Sequence, residues 1–234
     1  MRLSTLLSGA ALGLTMVLAS AATSNAAVVG VSSAAALHAD DSIDWGQLGP
    51  VATWVNPGTS ATSAGGLVAT LNTAGTGFQR IDQGSGWNGN FSNGEHLLWT
   101  SGQGPDITIN FDHPVYGAGA QIQANFFGAF VAEIFGSNGS LLGSFTENGS
   151  SNANGDGSAI FIGLKSALKE ITQIQFVLPS AYYAPNDFSI GSLQISSCVP
   201  EPSTWGMMLV GFLGVGFAVR RRARRAAAAA AAAA

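Results

Sequence analysis

The sequence predicts an all-β protein, a single antiparallel β-sandwich of jelly-roll type, and three observations carry that prediction. Apolar residues in the middle of the chain recur at every second position, the period of a strand with one wet face. The apolar runs are short and are separated by turns rich in Gly, Asn and Ser, with 31 glycines in 234 residues. Only 166–170 has the look of a helical turn, so helices do not alternate with the strands.

The elements follow in order. Candidate strands open at 51–56, 67–72 and 95–100. Ile107, Ile109 and Phe111 then alternate with Asp106, Thr108 and Asn110, and Ala120, Ile122, Ala124 and Phe126 alternate with Gln121, Gln123 and Asn125. Phe130, Ala132 and Ile134 form a further inward set. The segment Ser137-Asn138-Gly139-Ser140 turns the chain into 141–146, because Asn-Gly readily adopts the positive φ of a tight hairpin. Another strand is expected at 159–163, and Ile174, Phe176 and Leu178 share one face of a late strand. In the last strand the apolar phase slips from Phe188 and Ile190 to Leu193 and Ile195. A bulge at Gly191-Ser192 reconciles the two halves. Roughly ten short strands with no internal repeat and no long linker make one sandwich.

Both ends of the chain have their own composition. Met1 and Arg2 precede an apolar stretch at 3–19, and Ser24-Asn25-Ala26 is a small-x-small cleavage site, so 1–26 reads as a signal peptide. Near the other end stand Val199, Pro200, Glu201, Pro202, Ser203 and Thr204, then an apolar segment at 205–219 and a basic cluster from Arg220 to Arg225. Pro200 and Pro202 cannot sit inside a regular helix and hold Glu201 in an extended stretch. The arginines stop transfer and stay cytoplasmic. Fifteen residues between Trp205 and Val219 span about 22 Å, short of the ~30 Å hydrocarbon core. A short transmembrane helix of this kind suits a processing substrate better than a permanent anchor.

The motif, short apolar helix and arginines together resemble the PEP-CTERM sorting signal of Gram-negative, exopolysaccharide-making bacteria. That resemblance implies recognition of Pro200, Glu201 and Pro202 by an exosortase-type membrane protease, and delivery to the cell surface or extracellular matrix. The chain then divides into the signal peptide, an exported β-sandwich domain at 27–197, the sorting signal at 198–225 and an alanine run at 226–234. Asp44-Trp45, Phe161-Ile162-Gly163 and Asn186-Asp187-Phe188 resemble the exported β-sandwich domains such proteins often carry, which implies no particular activity.

The charge of the exported part differs from that of the whole. Between 27 and 197 stand three bases, Arg80, Lys165 and Lys169, against twelve acids, a net charge of −9; the whole chain is −4 because the tail arginines mask the imbalance. Such a field disfavours nucleic acid and anionic membrane surfaces as partners and is compatible with neutral or cationic glycans. The one cysteine, Cys198, excludes an internal disulfide. A domain of roughly 170 residues buries about 70% of its unfolded surface and stands on its core alone.

Catalytic motifs are absent: no Gly-x-Ser-x-Gly elbow and no His-Glu-x-x-His occurs. Gly84-Ser85-Gly86-Trp87-Asn88-Gly89 fits Gly-x-Gly-x-x-Gly, but no helix follows to meet a pyrophosphate. His38, His96 and His113 are scattered, His113 reading as a turn residue before Pro114 and His96 as a strand-face residue. No spacing singles out a carboxylate pair of the kind glycoside hydrolysis needs. Two loops hold functional interest. Asn152, Asn154 and Asp156 occupy the front half of a calcium loop, yet the twelfth position is Gly163 instead of a bidentate acid, so no metal or other cofactor is expected. In the loop 83–94, Trp87 and Phe91 stand among Gly, Asn and Ser. Either they offer a stacking face to a sugar ring, or both tuck into the sandwich edge as plugs.

The sequence therefore points to an exported, non-enzymatic surface or matrix protein. A carbohydrate-binding module using Trp87 and Phe91 is the alternative, and a glycoside hydrolase a further one. Intact-mass analysis of protein from the native host should find a mature chain that begins near Ala27 and lacks the segment after Pro202. Recovery of the arginine tail in most surface material would contradict processing.

Overall fold

The computed structural model describes residues 27–124, 128–149, 151–179, 187–198, 210–215, 217 and 220. The signal peptide, the Pro200-Glu201-Pro202 motif, most of the apolar tail and the alanine run lie outside these residues. Among the described residues, 210–215 are helical and exposed, and no helix is long and apolar enough to cross a membrane.

In chain order the strands are β1 (Val28–Val31), β2 (Asp41–Ile43), β3 (Thr53–Val55), β4 (Ser60–Thr62), β5 (Val68–Asn72), β6 (Phe78–Gln83), β7 (Gly86–Trp87) and β8 (His96–Trp99). There follow β9 (Asp106–Val115), β10 (Gly117–Ala124), β11 (Gly128–Phe135), β12 (Leu141–Gly149), β13 (Ile160–Ser166), β14 (Ile171–Val177), β15 (Phe188–Ile190) and β16 (Leu193–Ser196). One sheet of ten strands runs β1-β13-β10-β15-β8-β6-β3, with β16 bridging β10 and β2 and with β7 beside β6. The other, of six strands, runs β12-β11-β14-β9-β5-β4. Among the described residues all strand pairings are antiparallel except β6 with β7. The two sheets pack face to face over a core that includes Leu71, Phe78, Ile107, Ile109, Ile122, Phe130, Ile134, Ile162, Ile174 and Phe176. The antiparallel sandwich is the fold the period-two pattern called for.

Several expected elements are present. The hairpin at Asn138-Gly139 joins β11 to β12: Gly139 has φ 73°, and Asn138 Oδ1 accepts from the Ser140 amide at 3.0 Å. The bulge also forms. Ile122 faces Ile190, but Gly119 faces Gln194, one residue further along than uninterrupted pairing gives. That extra residue lets Phe188, Ile190, Leu193 and Ile195 all be buried despite their slipped phase. It also lets the chain change neighbours, from β8 beside β15 to β2 beside β16.

Other expectations need correction. Ser166–Glu170 is not a helical turn: β13 runs on to Ser166, whose hydroxyl donates to Glu170 Oε1 at 2.5 Å and accepts from the Leu168 amide at 3.2 Å. These side-chain bonds close a bend without a helical ladder. Helical turns form instead at α1 (Ala34–Leu37), capped by Ser33, and in a 3₁₀ turn at Trp45–Leu48, capped by Asp44. His113 lies within β9, exposed and paired with Asp112 at 3.1 Å, not in a turn. Strand β6 escapes the alternation rule because both of its faces are covered: Phe78 sits in the main core and Ile81 in a second apolar cluster on the other side.

The end of the domain is tied down. Asp40 accepts from the Ser197 amide at 2.6 Å, the Ser197 hydroxyl at 3.0 Å and the Cys198 amide at 3.0 Å. Burial opposes ionisation of this carboxyl, but those donors outweigh it and hold its pKa below the ordinary value. Cys198 is a free, exposed thiol at the last clamped position.

Trp45 anchors the bulge: it is fully buried, and its Nε1–H donates to the Gly191 carbonyl at 2.8 Å. Trp45→Phe keeps an aromatic ring but strands that carbonyl, so urea unfolding should show a loss of about 1–3 kcal/mol. An unchanged midpoint would mean that the bulge needs no anchor.

Candidate functional site

The outer face of the ten-stranded sheet is divided into a covered half and an open half. Loops on either side of β7 and ahead of β13 lie over β6, β8 and the end of β10. Beneath them Ile81, Trp87, Phe91, Leu97 and Ala159 form a second apolar cluster, with Trp99 packed against it. Trp87 is 5% exposed and Phe91 0%. The indole of Trp87 meets that of Trp99 edge-on, with centroids 6.0 Å apart. Of the two readings the loop allowed, the rings take the plug position, and neither is presented to solvent.

A buried polar network fastens the loops over that cluster. Asn90 donates through Nδ2 to Ser158 Oγ at 3.0 Å, and its Oδ1 accepts from Gln123 Nε2 at 3.0 Å and the Asn152 amide at 2.8 Å. Its backbone amide donates to Gln123 Oε1 at 2.6 Å, and its carbonyl accepts from Ala159. Gln83 brackets Gly89 in the same way, donating to its carbonyl and accepting from its amide. Two of the three side chains of the expected calcium loop already accept hydrogen bonds locally. Asn152 Oδ1 accepts from the Asn154 amide at 2.9 Å, and Asp156 Oδ1 takes both the amide and the hydroxyl of Ser158. The Ser158 hydroxyl and amide lower the Asp156 pKa. Among the described residues no three His, Cys, Asp or Glu side chains gather as a metal site.

Beside the open half lies a cleft of about 580 Å³, lined among others by Glu95, Gln121, Phe161, Ser192 and Gln194 of this sheet and its loops and by Glu147 of β12, the end strand of the six-stranded sheet. Gln121 and Phe161 face each other across β10 and β13. Along the strands these residues alternate with Ala120, Ile122, Ile162, Leu193 and Ile195 of the core, so they point outward. The Phe161 ring folds down over Gly119 and Gly163: a Cβ at Gly119 would lie 2.8 Å from Phe161 Cζ, and one at Gly163 would lie 3.2 Å from Cε1. Two facing glycines thus make room for an aromatic ring on the floor.

Glu95 sits where the bulge meets the cleft. The Ser92 amide donates to its Oε2 at 3.1 Å, the Ser192 amide also donates to the carboxylate, and its Oε1 lies so close to Gly191 that any Cβ there would fall 2.2 Å away. Burial raises its pKa, the charge of Asp44 adds to the rise, and the two amides with His96 only partly offset it. His96 Nδ1 is 2.6 Å from Asp44 Oδ1, an approach that the bare Cα of Gly46 permits. For Asp44 burial opposes ionisation, but the Gly46 amide, the His96 contact and the charges of His96 and Arg80 prevail and lower its pKa. The outward positions of Gln121 and Gln194 could be read from their alternation. Glu95 and Glu147 stand on separate hairpins, and no spacing in the sequence brings them to one cleft.

Residues 199–222 match the model of the PEP-CTERM protein-sorting motif. The chain carries a PEP-CTERM sorting signal. That signal marks an exported protein processed at the membrane, and Pro200, Glu201 and Pro202 fall within the matched residues. No curated protein matches the chain. Among solved structures, the chain is similar to a GH31 CBM32-2 bound to GalNAc, at 13% identity over 56% of this chain and 99% of that one, with TM-score 0.34. It is also similar to CsCBM6-3 from Clostridium stercorarium in complex with cellobiose, at 13% identity, 73% and 94% coverage and TM-score 0.23. A third is the carbohydrate-binding module CBM6cm-2 from Cellvibrio mixtus lichenase 5A with cellotriose, at 11% identity, 64% and 100% coverage and TM-score 0.25.

Because Trp87 is a plug, Trp87→Ala should behave as a buried aromatic truncation and cost roughly 3–5 kcal/mol in thermal or denaturant melts. A variant that melts like the parent would place the ring outside the packed cluster.

Proposed function

We propose that this chain is a non-enzymatic exported protein of the cell surface or its polysaccharide matrix, released by an exosortase-type protease, and that its sandwich holds polysaccharide in the outer-face cleft. The sorting motif supports delivery. The observation that carries the binding reading is the composition of the cleft. Its volume of about 580 Å³ falls within the ~300–1,000 Å³ of ligand sites. Carboxylates, amides and serine hydroxyls for sugar hydroxyls surround Phe161, an apolar surface for a ring face. Binding is assigned to this cleft in place of Trp87 and Phe91, whose rings are buried.

One observation favours a second reading, glycoside hydrolysis. Glu95 and Glu147 line the same cleft, and the raised pKa of Glu95 is what a general acid needs. Against it, Glu95 accepts from two backbone amides, bonds that favour the ionised acceptor over a proton donor.

Pull-down on host exopolysaccharide, with reducing ends assayed in the same tubes, separates the readings. Retention without new reducing ends is expected, and Phe161→Ala should weaken it by about tenfold, equivalent to ~1.4 kcal/mol. Reducing ends that appear with the parent and vanish with Glu95→Gln would establish the hydrolase instead. Retention unaffected by Phe161→Ala would move binding away from the cleft.

A further inference from the structure

The hydrogen-bonding balance of the cleft is one-sided. Two carboxylates, Glu95 and Glu147, line it, and among the described residues no Lys, Arg or His does. Gln121 turns both of its amide hydrogens inward, donating through Nε2 to the Gly157 carbonyl at 2.9 Å and the Ala159 carbonyl at 2.8 Å. What Gln121 leaves for a ligand is Oε1, an acceptor. The Ser192 amide is likewise committed, to Glu95. The side-chain donors left are the Gln194 amide and the hydroxyls of Ser32, Ser33 and Ser192, the Ser33 oxygen already accepting from the Ala36 amide; they are all neutral, whereas the two carboxylates carry the charge. A ligand that fits must bring donors and positive charge, and the −9 of the exported domain attracts the same kind of molecule over longer range.

We propose that the cleft selects a cationic amino sugar, a saccharide with a free protonated amine on the ring, with Glu95 and Glu147 as counter-charges and Gln121 Oε1 as an additional acceptor. This rests on the reading of the cleft as a saccharide site. An N-acetylated sugar exchanges three charged donors for one neutral N–H and a carbonyl, and leaves the two carboxylates without a counter-charge. Glycans bearing sulfate or uronic acid meet like charge and are refused.

The test uses the full-length chain in detergent micelles at about pH 6, where a sugar amine with an ordinary amino pKa is charged. Calorimetry compares a glucosamine oligomer, its N-acetylated counterpart and a neutral glucose oligomer of equal length. The glucosamine oligomer should bind about tenfold more tightly than the acetylated one, a difference of ~1.4 kcal/mol. Glu147→Gln and Glu95→Gln should each erase most of that difference. Glu133→Gln, which removes one acid from β11 outside the cleft, should leave it unchanged, and melting curves verify that all variants fold. Equal binding of the glucosamine oligomer and its N-acetylated counterpart overturns the selection for charge while leaving the saccharide reading in place. An equal loss with Glu133→Gln also overturns it, since the attraction would then be the diffuse field of the domain. Binding of none of the three oligomers overturns the saccharide reading with it.

Discussion

Asn90 is the residue on which the outer face depends. It is 3% exposed, and its side-chain and backbone polar groups find partners on β10, on the loop at 152–153 and at Ser158 and Ala159. A buried amide left half-paired is costly, so this network exists in one arrangement or comes apart. In that arrangement the loops seal Trp87, Phe91 and Ile81 over β6 and β8. The cleft begins where their cover ends and is completed by Glu147 of β12 from the other sheet, and Ala159 belongs to both, as a member of the sealed cluster and part of the cleft wall. Closing one half of the face thus defines the other.

The bulge connects the core to the cleft. Gly191 gives its carbonyl to Trp45 on the core side, and its missing side chain leaves room for Glu95 on the outer side. The same irregularity turns the Ser192 amide toward the Glu95 carboxylate. A regular strand would have kept its apolar phase on one face and offered no such amide. Bulges beside functional clefts commonly aim a side chain in this way. Glu95 is accordingly held in place by backbone while its burial keeps it from ionising as easily as a surface glutamate.

The clamp on Ser197 and Cys198 gives the domain a defined exit. Asp40 ties down the chain directly after β16, so Val199 alone separates the clamped residues from Pro200 of the sorting motif.

The sequence by itself determined the strands whose two faces differ, because period two is imposed by the pleat and needs no knowledge of partners. It also determined the hairpin at Asn138-Gly139, the bulge at Gly191 and the sorting signal, each written in neighbouring residues. Strand β6, buried on both sides, lost its alternation and with it its signature, and β1, β2 and β4 are too short to show one. The fate of Trp87 and Phe91 was undecided in the sequence because an aromatic among Gly, Asn and Ser suits either a stacking face or a plug. Asn90, 33 residues from Gln123 and 68 from Ser158, settled it through bonds that form only after the sheet is assembled. The meeting of Glu95, Gln121, Glu147 and Phe161 is likewise a product of strand order, which long-range pairing decides and local pattern does not record.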